Sequence, residues 1–166
     1  MKDFLEVLKK RRSIRKFSSQ AIPQDIIEKI IDCARFAPTA RNLQPWKFVV
    51  VRDRDTLIKL SEITSPNGTF IKDANVCIVV CCQDTKYYLE DGCSATVYIL
   101  IASFCLGLGS CWIAGDKKPY VEEISSLLNI PQDYKIVSLV ALGYPEEHAD
   151  KEKKPLRQVL CWNNFK

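Results

Sequence analysis

The sequence predicts an α/β or α+β domain in which helices cover both sides of one central sheet. Helical and strand-like patterns alternate along the chain, four apolar runs are nearly continuous in hydrophobicity, and 166 residues are enough for one core. A chain of this length buries about 70% of the surface its unfolded form exposes, so a core needs no metal or disulfide staple. The expectation is therefore one domain over residues 1–166, without repeat or linker.

The elements follow in order. In DFLEVLKK (3–10), Phe4, Leu5 and Leu8 share a helical face that runs into a basic cluster. Pro23, favoured at a first helical position, opens a second helix whose Ile26, Ile27, Ile30, Ile31 and Ala34 share one face until Pro38. FVVV (48–51), VCIVVCC (76–82), SCWIA (110–114) and KIVSLVALG (135–143) read as strands buried on both faces. Helical patterns fall between them at 54–63, about 84–106 and 119–128, the last with Val121, Ile124, Leu127 and Leu128 on one face. The tail LRQVLCWNNF carries Leu156, Val159, Leu160, Trp162 and Phe165, too apolar for a solvated end, and is expected to dock on something such as a second subunit.

Composition removes several classes. With 47% hydrophobic and 27% charged residues the chain is neither disordered nor of low complexity. The uncharged stretch Gly92–Gly115 has 24 residues, enough to span a bilayer on length alone. Asp91 and Asp116 bracket it, four hydroxyls dilute it, and Gly107 and Gly109 divide it into a buried helix and a short strand, so no membrane span is expected. The eight cysteines lie mostly in apolar runs, lack a Cys-x-x-Cys spacing and follow no secretory signal, which favours reduced thiols in a cytoplasm and no metal site.

The net charge is only +4, but Lys2, Lys9, Lys10, Arg11, Arg12, Arg15 and Lys16 crowd the first sixteen positions against Asp3 and Glu6. Within RRSIRKF (11–17), arginine forks and the Ser13 hydroxyl can hold a phosphate dianion; the same residues also suit a solvated helix end, and the residues alone leave both open. The loop APTARNLQPWKF (37–48) is rich in hydrogen-bonding groups, suited to a ligand or to a tight connection in which Thr39 and Asn42 cap backbone groups and Trp46 is core. LGLGSCW has its glycines after a helix and before a strand, the reverse of a dinucleotide fingerprint, so a sharp turn is expected there. His148, in EEHAD, is expected at the surface without a catalytic role. So few ionisable candidates point to chemistry borrowed from an organic cofactor.

RRSIRKF, APTARNLQPWKF, the Asp-led helix DGCSATVYILIASFCLGLGSCW and the late strand KIVSLVALGYPEE together resemble the nitroreductase family, in its order and spacing and over essentially the whole chain. The resemblance implies a three-layer α+β fold with a mixed central sheet, FMN as cofactor, and a homodimer with exchanged C-terminal extensions and FMN sites between the subunits. It assigns Arg11 and Ser13, with Arg12 beside them, to the phosphate and ribityl chain, and Arg15 to the pyrimidine edge of the ring. Pro38, Thr39, Ala40 and Asn42 would line the cofactor from the partner subunit, Trp112, Ile113, Ala114 and Gly115 would set backbone groups beside flavin N5, and Asn67 would touch the ring. Among Lys153, Lys154 and Arg157, spacing before Pro155 favours Lys153 to close over the phosphate. The span Asp84–Asp91 is too brief for the inserted helices that often cover the substrate side, so an open or differently shaped pocket is expected.

The implied activity is a ping-pong oxidoreductase, taking electrons from NAD(P)H and passing them through flavin N5 to a nitroaromatic, quinone or other small conjugated acceptor. Dehalogenation or flavin cleavage on the same fold is the alternative. A nucleic-acid-binding module resting on the basic N-terminus, and a thiol redox or metal-binding protein resting on the cysteines, are the readings from other classes, and neither partner is expected.

Overall fold

In the computed structural model, which describes residues 4–165, four strands form one sheet in the order β1-β2-β4-β3. They are β1 (Trp46–Val51), β2 (Val76–Gln83), β3 (Gly109–Ala114) and β4 (Tyr134–Gly143). The helices are α1 (Phe4–Lys10), α2 (Gln24–Ala34), α3 (Arg54–Ile63), α4 (Tyr88–Cys105) and α5 (Val121–Leu127). Lys2, Asp3 and Lys166 lie outside the described residues.

Alternation along the strands sorts the core into two faces. Cys77, Val79 and Cys81 of β2 pack with Leu57 and Leu60 of α3 and Ile124 of α5. Val76, Ile78 and Val80 pack instead with Ile27 and Ile30 of α2 and Ile99 of α4. Helices thus cover both sides of the sheet, which is the α+β three-layer arrangement expected. β1 departs from the expectation of strands buried on both faces, because it is an edge strand whose Lys47 and Val50 are exposed.

The expected mixed sheet is corrected: all three strand pairings are antiparallel, and parallel pairing among the described residues is confined to the isolated bridge Ser13–Ser110. The reason is β4. β2 and β3 run in the same direction and are joined by the crossover helix α4, but β4 inserts between them and runs against both. The parallel pair that a β-α-β alternation leads one to expect is split.

Element ends shift modestly. Pro23 caps α2 rather than opening it, its carbonyl accepting from the Ile26 and Ile27 amides. α4 begins at Tyr88, not near 84, and its Thr96 hydroxyl bonds Ser138 of β4 at 2.7 Å. No helix among the described residues is long and apolar enough to cross a membrane. The predicted apolar face of α1 is present but uncovered: Val7 is buried, whereas Phe4, Leu5 and Leu8 are exposed.

Candidate functional site

The basic segment leaves α1 as an extended strand-like stretch that docks beside β3, with the Ile14 amide donating to the Ser110 carbonyl at 3.0 Å. Farther on, the Ser18 amide donates to the Tyr144 carbonyl and the Glu146 amide to the Lys16 carbonyl. This pairing ties the segment to the loop after β4. Two glycines permit the approach. Gly107 turns the chain at φ +81°, and at Gly109 a Cβ would stand 2.8 Å from the Ile14 side chain.

Arg11, Ser13 and Arg15 gather around β3. Burial pushes the Cys111 thiol up, and Arg15, a hydrogen bond with Ser13, and Arg11 draw it back down. Arg15 also lies over the Phe70 ring at 5.6 Å, and its amide donates to the Glu147 carboxylate at 2.5 Å. Asn67 is exposed in the turn leading to Phe70.

Arg12 has a structural task as well. Its Nη1 donates to the Lys9 and Arg11 carbonyls at 2.5 and 3.0 Å, closing the end of α1 as the helix-end reading foresaw. That leaves Arg12 Nε buried without a partner, together with Nη1 of Arg11 and Oγ of Ser110. Burial and then the Arg12 charge hold the Arg11 guanidinium below its ordinary range. Two adjacent, partly desolvated cations with orphaned donors are costly unless an anion completes them. They line a cavity of about 460 Å³ with Phe104, Gly107 and His148. An oxygen-rich dianion such as the phosphate of FMN fits this donor set.

The second cluster lies at the other end of α4. Asp91, only 3% exposed, accepts from Thr39 Oγ1 at 3.0 Å and from the Ala40 amide at 2.9 Å. Thr39 Oγ1 in turn accepts from the Gln44 amide at 3.1 Å and Trp46 is buried, as the connection reading expects, whereas Asn42 Oδ1 accepts from the Gln44 side chain at 3.2 Å rather than from a backbone amide. Arg41, Asn42 and Gln44 have φ of 53°, 55° and 51°, with Leu43 at −71° among them, and non-glycine residues adopt such left-handed conformations at a cost. The loop is held in an unfavourable shape by its anchors, which presents Pro38, Arg41 and Asn42 to solvent. Asp91 was not singled out for this role from sequence; the available signal was an acid, next to Glu90, directly before an uncharged stretch.

Trp112, Ile113, Ala114 and Gly115 link the two ends along β3. The Gly115 amide donates to the Val137 carbonyl at 3.1 Å, the Ala114 carbonyl accepts from the Tyr120 hydroxyl, and Asp116 accepts from Tyr88 at the start of α4. Asp91 and Phe104 are thirteen residues apart on α4, which separates the Thr39 loop from the arginine cavity by about 20 Å. One chain therefore does not bring them together. Lys153 stands exposed in the segment after β4, and the tail beyond it is exposed, with Trp162 at 78% and Phe165 at 98%.

No disulfide joins the cysteines among the described residues, no group of three metal-ligating side chains occurs there, and burial pushes the Cys77 thiol up to about 12.

The sequence profile of the nitroreductase family matches residues 8–144, which contain both clusters. The chain belongs to the nitroreductase family. A Methanothermobacter thermautotrophicus relative provisionally named NADH dehydrogenase/NAD(P)H nitroreductase is 40% identical over 152 residues, covering 88% of this chain and 79% of the relative. The solved structure of an FMN-dependent nitroreductase from Clostridium difficile superposes with a TM-score of 0.90 at 32% identity, covering 97% of this chain and 99% of that one. An iodotyrosine deiodinase of Nematostella vectensis is 26% identical, covering 95% of this chain and 74% of the relative. Nitroreductase relatives with these names support an oxidoreductase.

Proposed function

We propose that this nitroreductase-family protein is an FMN-dependent oxidoreductase that carries electrons from NAD(P)H to a small conjugated acceptor such as a nitroaromatic or quinone. The observation that carries the reading is the orphaned donor set, Arg11 Nη1, Arg12 Nε and Ser110 Oγ, around one cavity. Bound FMN supplies hydride chemistry at N5. The chain's residues bind and orient: Arg11, Arg12 and Ser13 toward the phosphate and ribityl chain, Arg15 toward the pyrimidine edge, Asn67 toward the ring, the backbone of Trp112–Gly115 beside the reacting face, and Lys153 over the phosphate. A fixed cation at Arg15 favours the reduced, more negative ring.

The separation of the two clusters along α4 supports a homodimer, in which Pro38, Thr39, Ala40 and Asn42 of one subunit complete the site begun by Arg11 of the other. An apolar groove between α1, α2 and α4, lined by Phe4, Leu8, Phe36, Tyr98 and Leu106, supports the same reading, as does the exposed tail. Cysteines that form no disulfide among the described residues suit a reducing cytoplasm.

The test is the absorbance spectrum of the purified protein followed by titration with FMN and with riboflavin. FMN should bind tightly and Arg11→Ala should weaken it by about 10- to 100-fold, while riboflavin affinity changes little. A colourless protein that no added FMN turns yellow sinks the proposal. The likeness to iodotyrosine deiodinase favours reductive dehalogenation as a second reading. Turnover with a halogenated phenol but not with nitroaromatics or quinones would select it.

A further inference from the structure

The loop at 39–44 is strained and firmly braced, yet its tip forms no hydrogen bond with the rest of the described chain. Its base is fixed by burial, since Ala37, Trp46 and Cys82 pack with Ala95, one turn along α4 from Asp91. The Asp91 carboxylate, itself buried, then accepts from the Thr39 hydroxyl and the Ala40 amide, and Thr39 Oγ1 accepts from the Gln44 amide. Above that brace Arg41, Asn42 and Leu43 are exposed, the first two with positive φ, and the hydrogen bonds of Asn42 and Leu43 stay within 39–44. A costly conformation persists only where its surroundings enforce it, and such strain concentrates at ligand contacts. The arginine cavity of the same chain is about 20 Å away, at the far end of α4, so the tip does not meet a phosphate held there.

We infer that Asp91 is a positioning residue for the cofactor of the other subunit: by holding Thr39 and Ala40 it keeps the loop tip in the shape that closes on the flavin at that subunit's arginine cluster. The inference rests on the flavin and homodimer readings above and adds to them a buried acid that acts only through the loop. Its contribution is preorganisation. A loop already in its bound shape loses little conformational freedom when the cofactor arrives, whereas a released loop must be ordered by the cofactor and affinity falls. In the flavin reading the arginine cluster takes the phosphate and the loop takes the rest of the cofactor. Loss of Asp91 should therefore weaken FMN and riboflavin by the same factor, while loss of Arg11 weakens FMN alone.

The experiment co-expresses two differently tagged chains, Arg11→Ala and Asp91→Ala, isolates the mixed dimer on both tags, and titrates it with FMN and riboflavin by quenching of flavin fluorescence. The Asp91→Ala homodimer should bind both flavins about 10-fold more weakly than wild type. Asp91→Asn, which keeps an acceptor for the Ala40 amide, should recover most of that loss. The mixed dimer should regain one site per dimer with wild-type FMN affinity, built from the arginine cluster of one chain and the loop of the other. A mixed dimer without a wild-type site places the action of Asp91 within its own subunit and overturns the inference. An Asp91→Ala homodimer that binds both flavins like wild type overturns it too, as does a loss confined to FMN. Where Asp91→Ala does not fold, Asp91→Leu frees the loop without leaving a cavity and takes its place in the same mixture. A wild type that binds FMN as a monomer overturns the inference and the homodimer reading but leaves the flavin reading standing; one that binds no FMN overturns the flavin reading and the inference with it.

Discussion

Asp91→Ala should release the Thr39–Gln44 loop while sparing the sheet. The buried carboxylate takes two hydrogen bonds, at 3.0 and 2.9 Å, from Thr39 Oγ1 and the Ala40 amide. A hydrogen bond to a charged group contributes about 1.5–3 kcal/mol when both partners are withdrawn from water. Both donors here are partly exposed and recover some bonding to water, so the low end applies and the pair contributes about 3 kcal/mol. For a chain of this length that lowers Tm by about 6–12 °C. Asp91→Asn keeps one acceptor for the Ala40 amide, and its amino group can donate to Thr39 Oγ1, so its cost should be nearer 1 kcal/mol. Urea titrations of the three proteins, read at unchanged slope, measure both values. If Asp91→Ala lies within 0.5 kcal/mol of wild type, the carboxylate does not anchor the loop and the explanation of its left-handed residues falls with it.

Other outcomes follow from packing and titration. A Cβ at Gly92 would stand 2.5 Å from Val137 Cγ2, so Gly92→Ala should destabilise by about 1–3 kcal/mol in the same urea assay, and a wild-type midpoint would contradict that packing. Burial pushes Cys77, Cys81 and Cys82 up to about 12, whereas the unfolded thiols ionise near 9. Their contribution is thus fully present below pH 9 and lost as pH rises toward 12, at about 1.4 kcal/mol per pH unit per thiol at the steepest; unfolding midpoints that stay level from pH 8 to 10.5 would contradict it. Deleting residues 156–166 should yield monomers or aggregates by light scattering, since Leu156, Val159 and Trp162 have no cover within the chain; a stable yellow dimer would count against exchange of the tail.

Much of the fold was legible because periodicity reports burial. β2 reads as continuous hydrophobicity and is buried on both faces for all but its last residue, and α2 and α3 begin within a residue of their predicted starts. The α1 face misled, since Phe4, Leu5 and Leu8 show an amphipathic pattern that this chain alone does not bury. A pattern states that a face seeks cover and is silent on what covers it. For RRSIRKF and for the 37–48 loop the local structural role leaves polar groups over. Arg12 closes a helix end with Nη1 and leaves Nε orphaned, and Thr39 braces a connection that presents Asn42 outward.

Local chemistry, then, was set by the sequence itself: which segments are strands and helices, that the glycines at 107 and 109 mark a turn, and that cations and a hydroxyl stand where a phosphate can be held. Tertiary structure alone decided three matters. β4 inserted between β2 and β3 and made every strand pairing antiparallel; Asp91 reached back across 51 residues to the Ala40 amide; and His148 came to the wall of the arginine cavity. Each depends on contacts between segments far apart in the chain, and neither hydrophobic period nor local propensity carries information about which distant partner a segment meets.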